Sequence, residues 1–155
     1  MNWDAVVQIV TAFFGTLGFC VLFQLRGGKL WLGALGGLLS WSVFLALGTV
    51  LESEVLRYFI VSVLITVYSE VFARIMKTPT TTFCIVSLIP LVPGGSLYYS
   101  VTYALEQNWS AFMAKATYTF ELAAALSAGI LLVTAGTRTV KRFLSEKKRF
   151  PEHLR

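Results

Sequence analysis

A chain of 155 residues with 56% hydrophobic and only 14% charged residues, at a mean hydropathy of +0.71, is too apolar for an ordinary soluble domain and describes an all-α integral membrane protein. Its net charge of +5 comes from basic residues at the ends of apolar runs and in the C-terminal tail, and the tail has no stacking aromatics arranged with its basic residues, so nucleic acid is not expected as a partner. The chain contains no P-loop, no metal-ligand cluster and no Ser-His or Cys-His pair at membrane depth, so neither an enzyme nor a cofactor is expected.

From Ala5 to Leu25 no residue is charged, about 31 Å of helix at ~1.5 Å per residue, enough for one crossing. Asp4 stands where a secretory signal would carry Lys or Arg, and the bulky Phe19 precedes Cys20 where lipoprotein processing wants a small residue. This run is therefore expected to stay as a span, closed by Arg26 and Lys29. Leu30 to Leu51 is a second uncharged run, with Gly33, Gly36, Gly37 and Gly48. Gly33 and Gly37 share one helical face, a spacing that permits close helix approach. Cys20 and Cys84 both lie in apolar runs; their spacing gives no support for a disulfide, and two buried small apolar residues is the simpler reading.

A third span, about 55–76, carries Glu70 and Arg74 one turn apart near its far end, where they read as a structural ion pair. The fourth, about 79–105, is interrupted at its middle by Pro90, Pro93, Gly94 and Gly95, with Thr78 placed to cap it and Pro79 at the first helical position. A proline lacks the N–H that would bond the carbonyl four residues earlier, so Pro90 and Pro93 are expected to strip the Val86 and Ile89 carbonyls of their helical partners and leave two half-helices. Those carbonyls suit a cation or an ammonium group, while the N–H groups of Gly94, Gly95 and Ser96 suit a carboxylate. The candidate substrate-binding residues are accordingly Pro90, Pro93, Gly94, Gly95, Ser96, Tyr98 and Tyr99. The plainer alternative is a kink that only shapes helix packing.

The fifth span, about 110–135, carries Lys115, expected to snorkel outward, and Glu121 near mid-membrane. A carboxylate there costs roughly 3 kcal/mol unless it is paired or faces water, so Glu121 is expected to point inward, either as a proton carrier or as a structural hydrogen-bonding group toward a partner chain. Residues 1–137 form one five-span domain, and 138–155 a basic tail. Val140, Phe143 and Leu144 share one face of the tail among Lys141, Arg142, Lys147 and Lys148, a pattern suited to anionic headgroups, and His153 reads as solvated.

Five crossings put eleven of the thirteen Lys and Arg residues on one side, leaving only Arg57 and Lys115 toward the other. Positive-inside counting then makes the N-terminus outside and the C-terminus cytoplasmic. Trp3, Tyr58 and Trp109 at the outer boundary and Trp31 at the inner one fit interfacial anchoring. An odd-span unit is also the natural half of an inverted pair, and no internal repeat is evident, so a second chain is expected to supply the other half.

Pro79-Thr80-Thr81-Thr82-Phe83, followed by Ile89-Pro90-Leu91-Val92-Pro93-Gly94-Gly95 and Tyr98, resembles the threonine/serine exporter family, and within it the small five-span subunit of split, two-chain members. The resemblance covers the whole chain in span number and in the position of the broken span, although only the Pro-Leu-Val-Pro-Gly segment is specific. It implies export of threonine and serine, or of a dicarboxylate such as succinate, coupled to the proton gradient in a bacterial inner membrane. It also implies a larger partner subunit with five spans and a cytoplasmic N-terminal domain. A scaffold that stabilises a larger membrane protein without transporting is the alternative from another class.

Overall fold

The computed structural model describes residues 3–149, with side chains as far as residue 139, and these form helices and short connections with no strand among them. Helices α1 (Trp3–Leu22), α2 (Gly28–Leu47) and α3 (Glu54–Ile75) come first. They are followed by α4 (Thr80–Leu88), a 3₁₀ turn (Ile89–Leu91), α5 (Gly94–Leu105) and α6 (Trp109–Arg149). α1, α2, α3 and the Trp109–Thr139 part of α6 are each long and apolar enough to cross a membrane, and the bent pair α4 and α5 makes a fifth span if counted as one. α6 continues without a break past the expected end at 135. The proposed lipid-facing side chains Val140, Phe143 and Leu144, and residues 150–155, lie outside the described residues.

Three helices end in one and the same way. After α1, Leu25 N–H reaches Cys20 C=O at 2.9 Å and Gln24 N–H reaches Val21 C=O at 2.9 Å; after α3, Thr78 pairs with Ala73 and Lys77 with Arg74; after α5, Asn108 pairs with Tyr103 and Gln107 with Ala104. This is the Schellman closure, which captures carbonyls that a helix end leaves bare. It needs a left-handed residue at its corner, and here that residue is Gln24 (φ 58°), Lys77 (φ 49°) or Gln107 (φ 57°) rather than glycine. At its other end α3 is capped by Ser53, whose hydroxyl accepts from Leu56 N–H, with Glu54 in the first turn. The expected cap of the fourth span is corrected. Thr78 hydroxyl turns back to Met76 C=O, α4 starts at Thr80 with Pro79 as the residue before it, and Thr82 N–H bonds Pro79 C=O.

In a bilayer, lipid tails are as apolar as leucine, so helices associate through close packing more than through burial of apolar area. α2 is where this is plainest. A Cβ at Gly33 would press on Cys20 and Val86, one at Gly36 would overlap Ser87, and one at Gly37 would overlap Thr16. Its glycines therefore admit α1 and α4 together. α4 lies between α2 and α3, burying Phe83, Val86 and Leu88, and α3 packs along α6 through Val61, Ile65, Leu122 and Ala125. Gly129 of α6 closes that seam, since a Cβ there would overlap the Ser62 hydroxyl.

α3 also buries a polar stripe of Ser62, Thr66, Ser69 and Glu70. The three hydroxyls donate to carbonyls of their own helix, Ser62 to Phe59 at 2.7 Å, Thr66 to Ser62 at 2.6 Å and Ser69 to Ile65 at 2.8 Å. Self-satisfied hydroxyls can sit in a dry interior without cost from an unmade bond.

Candidate functional site

The break in the fourth span begins where Pro90 enters the 3₁₀ turn and ends at Pro93, and the two halves meet at a bend of 60°. Two packing environments follow from it, since α4 is held between α2 and α3 while α5 packs on α6. The carbonyls expected to be bare are not. Ile89 N–H bonds Val86 C=O, and Val92 N–H bonds Ile89 C=O at 3.1 Å. Tightening from an α to a 3₁₀ pattern lets residues three along the chain replace the missing proline donors. On the other side of the break Gly94 N–H turns back to Val92 C=O at 2.6 Å, whereas the N–H groups of Gly95 and Ser96 precede the first α5 bond, from Leu97 N–H to Pro93 C=O. The anion-attracting end is thus retained in part.

Gly94 and Gly95 are exposed, and a Cβ at either would meet nothing within 4 Å. Neither has a positive φ. Their lack of a side chain is therefore required by nothing inside this chain. Tyr98 and Tyr99 are exposed as well, Ser96 and Pro93 half-buried, so these candidate residues open onto the surface of the helical unit. Pro90 instead borders a groove of about 310 Å³ whose polar lining comes from Gln8, Thr11, Thr16 and Trp41, with Trp41 Nε1 donating to Gln8 Oε1 at 3.3 Å.

Glu121 departs from expectation in the same direction. It is exposed on α6, on one face with Thr117, Ala124 and Ala128, all exposed, while Leu122, Ala125 and Gly129 take the buried face. The side chain points away from the unit, not into it.

Charged groups gather at both ends of the α3–α6 seam. At the end carrying Glu52, Glu54 and Glu106, Tyr118 hydroxyl donates to the Glu54 carboxylate. Lys115 there sits over the rings of Tyr118 (5.1 Å) and Tyr99 (6.0 Å), and Arg57 stacks on Phe44 at 4.9 Å. At the other end Arg74 Nη2 donates to Glu70 Oε2 at 3.0 Å, with the Glu70 side chain only 11% exposed and that of Arg74 53%. Beside this pair a cleft of about 380 Å³ opens between α3, α4 and α6, lined by Glu70, Arg138 and the hydroxyl residues Thr66, Thr80, Thr81 and Thr134. The ion pair was legible in its spacing. The cleft was not, because Thr80, Thr134 and Arg138 reach Glu70 only through the packing of three helices.

Residues 8–135 match the family model described as Threonine/Serine exporter, ThrE. The chain belongs to the threonine/serine exporter family. No curated protein matches it, and no solved structure does. For an exporter, the surface position of the Gly94–Tyr99 segment and of Glu121 bears directly on how the transport path is completed.

Proposed function

We propose that this chain is one half of a two-chain, proton-coupled exporter of small carboxylate-bearing metabolites, threonine and serine or a dicarboxylate such as succinate. Its partner is a larger subunit with five spans of inverted topology and a cytoplasmic N-terminal domain. The complex resides in a bacterial inner membrane, with the N-terminus of this chain outside and its basic end cytoplasmic.

The observation that carries this reading is the exposure of Glu121 on a face otherwise made of Thr117, Ala124 and Ala128. A carboxylate presented to lipid at mid-span costs roughly 3 kcal/mol, and small residues around it admit a neighbouring helix closely. A parallel second copy of this chain meeting the same face would bring two glutamates together. A different polypeptide with a donor at that depth resolves the charge. The first-turn N–H groups of Gly95 and Ser96 then line the path between the two subunits, where a substrate carboxylate meets them as the halves rock about the break.

The test is efflux from vesicles containing the co-purified complex. Loaded threonine should leave in exchange for an imposed proton gradient, and Glu121→Gln should abolish the dependence on that gradient. Proton-dependent efflux unchanged in Glu121→Gln removes this residue as the carrier. Efflux by the larger subunit alone, at the rate of the complex, makes this chain a scaffold.

A further inference from the structure

The cleft beside Glu70 holds groups of both charge signs within about 380 Å³, space enough for a small metabolite. Glu70 is the negative element. It is 9% exposed, and its carboxylate is held by Arg74 from one turn along its own helix. A carboxylate accepts several hydrogen bonds, so an ammonium group can share it with the guanidinium.

The positive element faces it from the other two helices. Arg138 of α6 lines the same cleft, and α4 begins there, with Thr80 and Thr81 ahead of the first bonded N–H, that of Thr82. No side chain caps α4, so the partial positive charge of its first turn is directed at the cleft rather than at a local acceptor. Thr66 and Thr134 add hydroxyls, although both already donate to carbonyls of their own helices and so offer lone pairs and methyl groups more readily than protons.

We infer that this cleft is a loading site for a zwitterionic α-amino acid, with the ammonium at Glu70 and the carboxylate between Arg138 and the first turn of α4. This rests on the exporter reading and narrows it. Succinate carries two negative charges and no ammonium, so one of its ends would face Glu70. Like-charge contact in a partly buried site disfavours it, and the cleft selects threonine and serine over dicarboxylates. The location suits an exporter, because the cleft opens at the basic end, which positive-inside counting makes cytoplasmic.

Cys84 lines the cleft and is the only other cysteine besides Cys20. In a Cys20→Ala chain, assembled with its partner in nanodiscs, the rate at which a small methanethiosulfonate reagent modifies Cys84 reports occupancy. L-threonine should slow modification, whereas N-acetyl-L-threonine, which lacks the ammonium, and succinate should not. Glu70→Gln and Arg138→Gln should each raise the concentration needed for protection about 10- to 100-fold, the effect of losing one charge-assisted hydrogen bond. Arg138→Gln keeps the test decisive if Glu70→Gln fails to fold, since Arg138 is exposed. Equal protection by succinate overturns the proposal, as does threonine protection that both variants leave intact. Absence of protection by threonine, in a complex that still exports it from vesicles, overturns the site and leaves the exporter reading standing. Export of succinate but not of threonine likewise overturns the site alone, whereas absence of both from the assembled complex overturns the exporter reading instead.

Discussion

Replacing Gly94 or Gly95 separates what this chain needs from what its surroundings need. Both glycines lie in the first turn of α5 with negative φ, and a Cβ at either meets nothing within 4 Å. Alanine loses less conformational freedom than glycine on entering a helix, a difference of about 0.5–1 kcal/mol per residue. Gly94→Ala and Gly95→Ala should therefore leave the isolated chain as stable as the parent or more stable by up to that amount. Gly37→Ala is the contrasting control, because there a Cβ overlaps Thr16 and overpacking costs about 1–3 kcal/mol. Unfolding of the purified chain in mixed micelles, followed by tryptophan fluorescence, measures the first effect, and threonine efflux from vesicles holding the complex measures the second. Stability kept and export lost in Gly95→Val locates the demand for glycine outside this chain, in substrate or partner. Destabilisation of the isolated chain by more than 1 kcal/mol in Gly95→Ala would refute the reasoning, since it would mean the position is packed. Stability and export both unchanged in the valine variants would remove any ligand role for the segment.

Other expectations follow from the packing and the helix ends. Thr16→Gly should restore part of the stability lost in Gly37→Ala, because it removes the Oγ1, Cβ and Cγ2 atoms with which the new methyl group collides; the double variant behaving as the sum of the single ones would show that the two do not meet. Lys77→Gly and Gln107→Gly should each stabilise by about 1 kcal/mol, glycine entering the left-handed region without the steric cost that lysine and glutamine carry, and chemical denaturation checks this. Tyr118→Phe should cost about 1.5 kcal/mol by removing the bond to the Glu54 carboxylate, an effect that vanishes in a Glu54→Ala background if the two act only through each other.

The helical architecture was readable because span length, charge-free runs and proline chemistry are local properties. Ala5 to Leu25 and Leu30 to Leu51 announced themselves by the absence of charge, and the break by two ring structures that cannot donate. Closing the carbonyls was not readable, because whether Val86 and Ile89 stay bare depends on a few degrees of backbone rotation, and the chain takes the tighter 3₁₀ path. Gly33 and Gly37 were correctly singled out as a close-approach face, yet Gly36, one position off that face, is equally crowded because α4 arrives from a second direction. Glu121 illustrates the limit of depth arguments. Mid-span placement shows that the carboxylate needs company, but which side of α6 it occupies is set by Leu122, Ala125 and Gly129 claiming the other. Gly129 itself gave no signal in sequence, since its partner at Ser62 lies on a different helix.

The attachment of α5 has a mechanical consequence. This half of the broken span works as a lever arm fastened along one side to α6, with its root at Val92 and Pro93 and its tip joined to α6 by the tight corner at Gln107. Load on the tip reaches α3 through α6, across the seam where Gly129 meets Ser62. A bulkier residue at 129 would press on Ser62 and on the Phe59 carbonyl of α3, disturbing the helix on which the arm is seated without touching any residue of the break. Position 129 thus probes the seating of the arm apart from the chemistry of the opening, two properties that a substitution at Pro90 changes together.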